Sequence, residues 1–289
     1  MKLRAEHVGL TFTIPALVIL GMLTFYPLLD TLILSFHKIN VAKAFQSFFI
    51  GLANYERAFK DPLFQVAFIN TLEFVIGATT LESLLGLILA IIFAIEFRGK
   101  NKIVPLIVLP MMLPTIVVCS FWRIMYHTEF GVINAILKLF GLGSVNWLGD
   151  VRIAMLSIII VDLWQYTPFA FLIIYAGIQS IPSSLIEASL VDGATFFQSL
   201  RYVILPLIKK HILIVIMLRI IDTFRIFDKV FALTGGGPGN STEVLTFNIY
   251  KNGFRYYDFG YAAAQAVIML LTILIVIVLY LRVTRGGTR

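Results

Sequence analysis

Two apolar stretches of this sequence carry side chains that lipid tolerates poorly. Between Ile153 and Ile178 stand Asp162, Gln165, Tyr166 and Phe169, with Trp164 beside them. Between Ile212 and Leu233 stand Arg219, Asp222, Thr223, Arg225, Asp228 and Lys229. An ionised side chain at the middle of a bilayer costs roughly 2.5–3.5 kcal/mol on insertion scales, so such residues normally face a protein interior or a wet cavity. Asp162, Gln165, Tyr166 and Phe169 follow helical i, i+3, i+4, i+7 spacing, and so do Arg219, Asp222, Thr223 and Ile226; each set shares one face. Stripes of carboxylate, amide, hydroxyl and aromatic groups suit a sugar, whose hydroxyls need paired acceptors and donors and whose ring can stack on Tyr or Phe. Two other readings stay open on these residues alone. Asp162 and Asp222 can serve as the proton or ion sites of a secondary carrier. Alternatively, Arg219–Asp222 and Arg225–Asp228, each three apart, lie side by side on a helix and neutralise one another as purely structural pairs. For an intramembrane enzyme there are acids and bases, but no nucleophile–base spacing. His7, His37, His127 and His211 are far apart and show no metal-ligand spacing. The single Cys119 cannot form an internal disulfide. No catalytic and no metal site is expected.

The elements that carry these residues must be membrane spans. The 289-residue chain is 59% hydrophobic and 13% charged, where a soluble domain carries roughly a quarter charged residues. A mean hydropathy of +0.93 needs lipid as solvent. The expected fold class is therefore an all-α membrane protein of about six transmembrane helices. They are placed at Leu10–Phe36 (with bends at Pro15 and Pro27), Thr71–Ile95, Ile103–Trp122, Ile153–Ile178, Ile212–Leu233 and Phe259–Leu281. The run from Val8 to Leu29 is too long for a signal peptide's apolar region and reads as a retained first span. With both termini cytoplasmic, the short inner connections hold more Lys and Arg than the longer outer ones, as the positive-inside bias requires. The net charge of +7 is read the same way, since no basic run exceeds two adjacent residues; no nucleic-acid partner is expected. Glu73 belongs at the outer interface, and Glu82 faces the bundle or a partner subunit.

The connection between the fourth and fifth spans is then cytoplasmic. From Ile181 to Pro206 it reads IPSSLIEASLVDGATFFQSLRYVILP. Ser184 with Glu187, and Thr195 with Gln198, each fit a capping box. Between them, Gly193 after Asp192 can take the left-handed conformation that ends a helix. The pattern predicts two short helices joined at a sharp bend across the inner membrane face.

Glu187-Ala188-Ser189, Asp192-Gly193-Ala194 and Ile204-Leu205-Pro206 resemble the EAA loop of permease subunits of bacterial ABC importers, with serine at 189 where alanine is common. The resemblance extends over most of the chain and is greatest to the sugar-importer, maltose-transporter branch. It is carried by Asn54-Tyr55, Asn70-Thr71, LGLILA at 85–90, Leu109-Pro110, Pro168-Phe169, Arg225-Ile226-Phe227-Asp228, LTGGGPGNSTEVL from Leu233 to Leu245, and Gly260-Tyr261-Ala262-Ala263-Ala264.

The resemblance implies the type I importer permease fold, one transmembrane domain over 1–289, in the inner or plasma membrane of a bacterium or archaeon. It implies a non-catalytic subunit that binds no cofactor, with ATP and Mg held by a separate ATPase. The implied partners are a second homologous permease, two copies of the ATPase and an extracytoplasmic substrate-binding protein. The loop at 181–206, with Glu187, Ala188, Ser189, Asp192, Gly193 and Ala194, would couple to the ATPase. Asp162, Gln165, Tyr166, Phe169, Arg219, Asp222 and Thr223 would line the cavity for an oligosaccharide, disaccharide or related polyol or glycerophosphate. The glycine-rich stretch Thr234–Thr242 lacks the GK[ST] ending of a phosphate loop; the resemblance makes it an outer contact for the binding protein. A secondary carrier would leave the EAA-like loop unexplained.

Overall fold

In the computed structural model, the described residues are 2–40, 46–95 and 97–286. Met1 and residues 287–289, at the ends of the expected domain, lie outside them. The element order is α1 (Lys2–Ser35), β1 (His37–Asn40), β2 (Gln46–Phe49), α2 (Ala53–Lys60), α3 (Pro62–Ala94), α4 (Lys100–Met112), α5 (Thr115–Met125), α6 (Val132–Leu139), α7 (Ala154–Gln179), α8 (Ser183–Val191), α9 (Phe196–Ser199), a π-helical turn (Leu200–Ile204), α10 (Leu205–Thr223), α11 (Asp228–Leu233), α12 (Leu245–Tyr250), a second π-helical turn (Lys251–Arg255) and α13 (Phe259–Gly286). A short antiparallel hairpin, pairing His37 with Phe49 and Asn40 with Gln46, is the one sheet among the described residues.

Among the described residues, four helical stretches are long and apolar enough to cross a bilayer, namely Thr13–Ser35, Pro62–Ala94, Ala154–Gln179 and Phe259–Thr284. The other two expected spans are not straight. The third is split into α4 and α5, which meet at an angle of 96°. Pro114 forces Leu113 out of helical conformation, to ψ 140°, and lacks the N–H that would continue the ladder. The fifth expected span, Ile212–Leu233, is not one helix. α10 stops at Thr223 and α11 starts at Asp228. With Lys209, Lys210, Arg219 and Asp222 inside it, α10 is also too charged to be recognised as a span by apolarity alone.

The described residues form two compact units, one drawn from 1–65 and 248–272, the other from 66–247 and 273–289. In the first, Asn54 donates to the carbonyls of Ser35 and His37 at 2.9 and 3.0 Å, which fixes α2 beneath the end of α1. Arg57 pairs with Asp258 at 2.6 Å and lies 3.9 Å over the ring of Tyr261. Gly260 is required there, because a Cβ would run into the His37 carbonyl. In the second unit, α3, α7 and α10 share a core of Ala90, Phe93, Phe171, Ile174, Ile208 and Val215. Gly86 lets the two backbones close up, since a Cβ there would lie 2.8 Å from the backbone nitrogen of Phe171. This three-helix core holds the charged residues in place.

Candidate functional site

Arg219 sits at the centre of the charged stretch and is only 2% exposed. Its Nε donates to Glu82 Oε2 at 2.5 Å, and Nη2 donates to Glu82 Oε1 and to Asp162 Oδ2, both at 2.9 Å. Nη1 donates to Asp222 Oδ2 at 2.5 Å. Asp162 also accepts from Lys229 of α11. The helices α3, α7 and α10, and α11 beyond the break, are thus tied by one guanidinium and one ammonium. Tyr166 completes the cluster, with Arg219 Cζ and Lys229 Nζ 4.7 and 4.3 Å from its ring centroid, a cation–π arrangement.

The helix break faces a hollow of about 230 Å³ lined by Phe74, Thr115, Asp162, Tyr166, Arg219, Asp222, Thr223 and residues 225–229. A second hollow of about 330 Å³ shares Tyr166, Arg219, Asp222 and Arg225, and adds Met111, Phe169 and Leu218. Breaking a helix here frees backbone groups that hydrocarbon would not satisfy, so the break must line a cavity or be re-bonded. Both occur. Arg225 and Ile226 turn back onto the carbonyls of Asp222 and Thr223 at 3.0 and 3.2 Å, and Thr246 donates to the Ile226 carbonyl.

The expected ligands divide into two groups. Asp222, Tyr166 and Phe169 present open surface to these hollows, and the Asp222 side chain is 54% exposed. Asp162 and Arg219 line the first hollow but are engaged with each other and with Lys229 and Glu82. Thr223 is buried, donating to the Arg219 carbonyl at 2.7 Å and lying 3.3 Å from Thr79 Oγ1. Gln165 borders neither hollow. Its Nε2 donates to the Leu113 carbonyl at 3.1 Å, the group freed by the α4–α5 bend. The alternative Arg225–Asp228 pairing along one helix is not formed, because Arg225 lies in the break after α10 and Asp228 starts α11; among the described residues Arg225 makes no ion pair. Sequence reasoning left Lys229 and Glu82 without a site role. The one available signal was their cost: two more charges in apolar stretches must have partners.

In the connection at 181–206, the Thr195–Gln198 capping box is present, with the Thr195 N–H donating to Gln198 Oε1 at 2.7 Å and the Gln198 N–H to Thr195 Oγ1 at 3.4 Å. Gly193 has φ +80°. The N–H groups of Gly193 and Ala194 donate back to Leu190 and Ser189 at 3.0 and 2.9 Å, the Schellman closure of a helix C-terminus. The Ser184–Glu187 box does not form. α8 begins at Ser183 behind Pro182, so Ser184 already lies inside the helix and has no N-cap geometry. The second helix is not short either. α9 runs through the π-turn Leu200–Ile204 into α10, so the bend is joined to Arg219 by unbroken helix. The π-turn absorbs the ladder bond that Pro206 cannot make. Ser189 is buried against Ser199, Oγ to Oγ 3.0 Å. Glu187, Ala188, Asp192 and Gly193 are exposed and Ala194 is half-buried. Val191 and Phe197 are 87% and 78% exposed.

The glycine-rich stretch is a tied loop. Asn70 donates to the carbonyls of Asn240 and Glu243 at 3.0 and 2.9 Å, and Thr71 Oγ1 accepts from the Leu245 N–H at 2.9 Å. Gly235, Gly236, Gly239 and Asn240 all have positive φ, which explains the glycines.

Residues 82–286 match the family model of the binding-protein-dependent transport system inner membrane component. The chain belongs to this family. Its members are membrane components of transport systems, and the apolar helices described above place this chain in the membrane with them. Among curated relatives, the trehalose/maltose transport system permease protein MalF of Thermococcus litoralis is 34% identical over 288 residues, 99% of this chain and 96% of that protein. The sulfoquinovosyl glycerol transport system permease protein SmoG of Agrobacterium fabrum is 31% identical over 271 residues, 94% of this chain and 88% of that one. A permease chain in the crystal structure of a bacterial alginate ABC transporter, in complex with an alginate pentasaccharide-bound periplasmic protein, superposes with a TM-score of 0.87 at 19% identity, covering 100% of this chain and 97% of that one. That likeness shows the ABC-importer permease fold. The family match includes Glu82, both charged stretches, the bend and the glycine-rich loop, and leaves out α1, the hairpin and α2.

Proposed function

We propose that this chain forms half of the translocation pathway of an ATP-driven, binding-protein-dependent importer of carbohydrate. ATP hydrolysis belongs to a separate subunit, present in two copies, which holds ATP and Mg. A second homologous permease supplies the other half of the pathway. An extracytoplasmic binding protein delivers the substrate to the outer face, where the loop at Thr234–Thr242 contacts it. Both termini are cytoplasmic. Asp222, Tyr166 and Phe169 contact the sugar directly, the carboxylate accepting hydroxyl protons and the rings stacking on its faces. Asp162, Arg219 and Thr223 hold that wall, and Gln165 supports it from behind through Leu113. The names of relatives support carbohydrate as cargo, since they include trehalose/maltose and sulfoquinovosyl glycerol systems.

The observation that carries the reading is the bend at Asp192-Gly193. It leaves Leu190, Val191 and Phe197 bare on a segment closed by its own hydrogen bonds. Bare apolar side chains on a rigid turn, joined by unbroken helix to the charged cavity wall, fit a lever seated in a partner's cleft. Glu187, Ala188 and Asp192 complete its exposed surface, half-buried Ala194 borders it, and buried Ser189 supports it from beneath through Ser199.

The test is co-expression with the neighbouring transporter components, purification on this chain, and reconstitution. A stable assembly with a second permease and two ATPase subunits is expected, with sugar uptake that requires ATP. Asp222→Ala should lower that uptake about tenfold, the loss of one hydrogen bond to a charged group. Transport by this chain alone without ATP would overturn the importer reading. Unchanged uptake of every sugar by Asp222→Ala would overturn the cavity assignment.

A further inference from the structure

The charge of the cargo is not fixed by the fold, because one relative belongs to a trehalose/maltose system and a chain of the same fold to a transporter of the acidic polysaccharide alginate. Arg219 in a substrate cavity fits a neutral sugar or an anionic one equally well on sequence grounds. The geometry decides between them. Of the cations lining the first hollow, Arg219 gives four of its five N–H donors to carboxylates, and Lys229 is held by Asp162. Glu82 grips Arg219 through two side-by-side hydrogen bonds, the fork pairing of a carboxyl group with a guanidinium. Glu82 is 0% exposed and does not border the hollow, yet it cancels the guanidinium that does. Arg225 is left as the exposed cation, between the exposed carboxylates of Asp222 and Asp228. Around this hollow, with Glu82 included, four carboxylates (Glu82, Asp162, Asp222, Asp228) stand against three cations (Arg219, Arg225, Lys229).

We infer that this half of the pathway selects uncharged polyhydroxylated cargo over acidic glycosides, and that Glu82 is a specificity-determining residue that acts by neutralising Arg219. This rests on the carbohydrate-importer reading above. A neutral sugar meets carboxylate acceptors with their countercharges already in place. An anionic sugar meets a wall whose formal charge is already negative, and it finds no guanidinium free of carboxylates except Arg225. Glu82→Gln removes one buried negative charge and leaves Arg219 partly uncompensated beside the hollow, which turns the wall toward anions.

The probes are trehalose and maltose as neutral disaccharides, and a glucuronic-acid-containing disaccharide as the anion. Binding to the assembled transporter without its binding protein is followed by saturation-transfer NMR, so that selection by the binding protein does not enter. The wild type should bind the neutral sugars in preference. Glu82→Gln should shift the neutral-to-anion binding ratio about tenfold or more toward the anion, as expected for one charge across a partly wet cavity. Glu82→Asp should stay near the wild type. The double variant Glu82→Gln/Arg219→Gln removes both charges and should restore the wild-type ratio, which a merely structural role for Glu82 would not do. Preference of the wild type for the anion overturns the inference and leaves the carbohydrate reading standing; that outcome needs no variant to fold. An unchanged ratio in Glu82→Gln, or no restoration in the double variant, overturns it as well. If no carbohydrate binds and none is imported with ATP, the carbohydrate reading fails and takes this inference with it.

Discussion

The path from α8 to α11 leaves α-helical geometry near Gly193 and again at Phe224–Phe227, and the chain handles the two places in opposite ways. At Gly193 the backbone is satisfied by neighbours within five residues, and the side chains left over are apolar and bare. At Phe224–Phe227 the side chains around the break are held from distant helices, Glu82 from α3 and Asp162 from α7, and what is left over is polar and faces a hollow. A turn closed by its own hydrogen bonds can be lifted or pressed as one body. A break stabilised by residues more than fifty positions away can rearrange only if several helices rearrange with it. The first suits a surface that a partner protein moves, and the second a wall that responds to that movement. Helix runs unbroken between them from Phe196 to Thr223, in α-form except for the π-turn at Leu200–Ile204.

The largest expected effect lies at the break. Arg219→Ala leaves Glu82 and Asp162 buried with Lys229 as their nearby cation. Removing one partner of a buried ion pair costs about 3–5 kcal/mol. The expected result is a clear fall in the thermal unfolding midpoint of the purified assembly, or loss of the assembly, together with loss of transport. A midpoint equal to the wild type would mean that the cluster is not what joins α3, α7 and α10, and the contrast between the two places would disappear.

The bend should give a smaller and different effect. Proline at 193 cannot adopt φ +80° and removes the N–H that donates to Leu190. With the break intact, Gly193→Pro should still assemble in part, hydrolyse ATP at its basal rate, and import sugar about tenfold less per ATP, the consequence expected when a rigid turn is replaced by a strained one. Parallel measurement of hydrolysis and uptake in proteoliposomes checks it. Wild-type coupling would show that the bend is not the lever.

These two places also differ in how far the sequence revealed them. The Thr195–Gln198 box and the left-handed Gly193 depend on residues a few positions apart, so local spacing is sufficient to expect them. The Ser184–Glu187 box has the same spacing and does not form, because Pro182 starts the helix earlier; local pattern offered two starts, and packing used one. The continuation of α9 into α10 was missed because a π-turn has no side-chain signature. At the break, helical periodicity correctly put Arg219 beside Asp222, three residues on. It could not supply Glu82, which lies 137 positions away, nor the end of the helix at Thr223, which falls in an apolar stretch without Gly or Pro. The same limit applies to the α4–α5 bend. Pro114 is visible, but its consequence depends on Gln165, 52 positions beyond Leu113, donating to the freed Leu113 carbonyl. Spans as apolar segments were legible from composition; their interruptions are long-range events.

The smallest effect separates the capping box from the turn it follows. Thr195 is exposed, and its side chain serves only the first turn of α9. Thr195→Ala should cost about 1 kcal/mol, the usual loss for an N-cap. If the bend is closed mainly by Gly193 and Ala194 donating back to α8, that loss should appear as faster amide hydrogen exchange confined to residues 196–199, with coupling between hydrolysis and uptake nearly preserved. If coupling instead falls as far as in Gly193→Pro, the first turn of α9 is part of the lever, and the rigid body extends from α8 through the cap into the helix that carries Arg219. In that case the two places are less separate than their hydrogen bonds imply, since a change at an exposed threonine would be felt at the charged wall through the intervening helix.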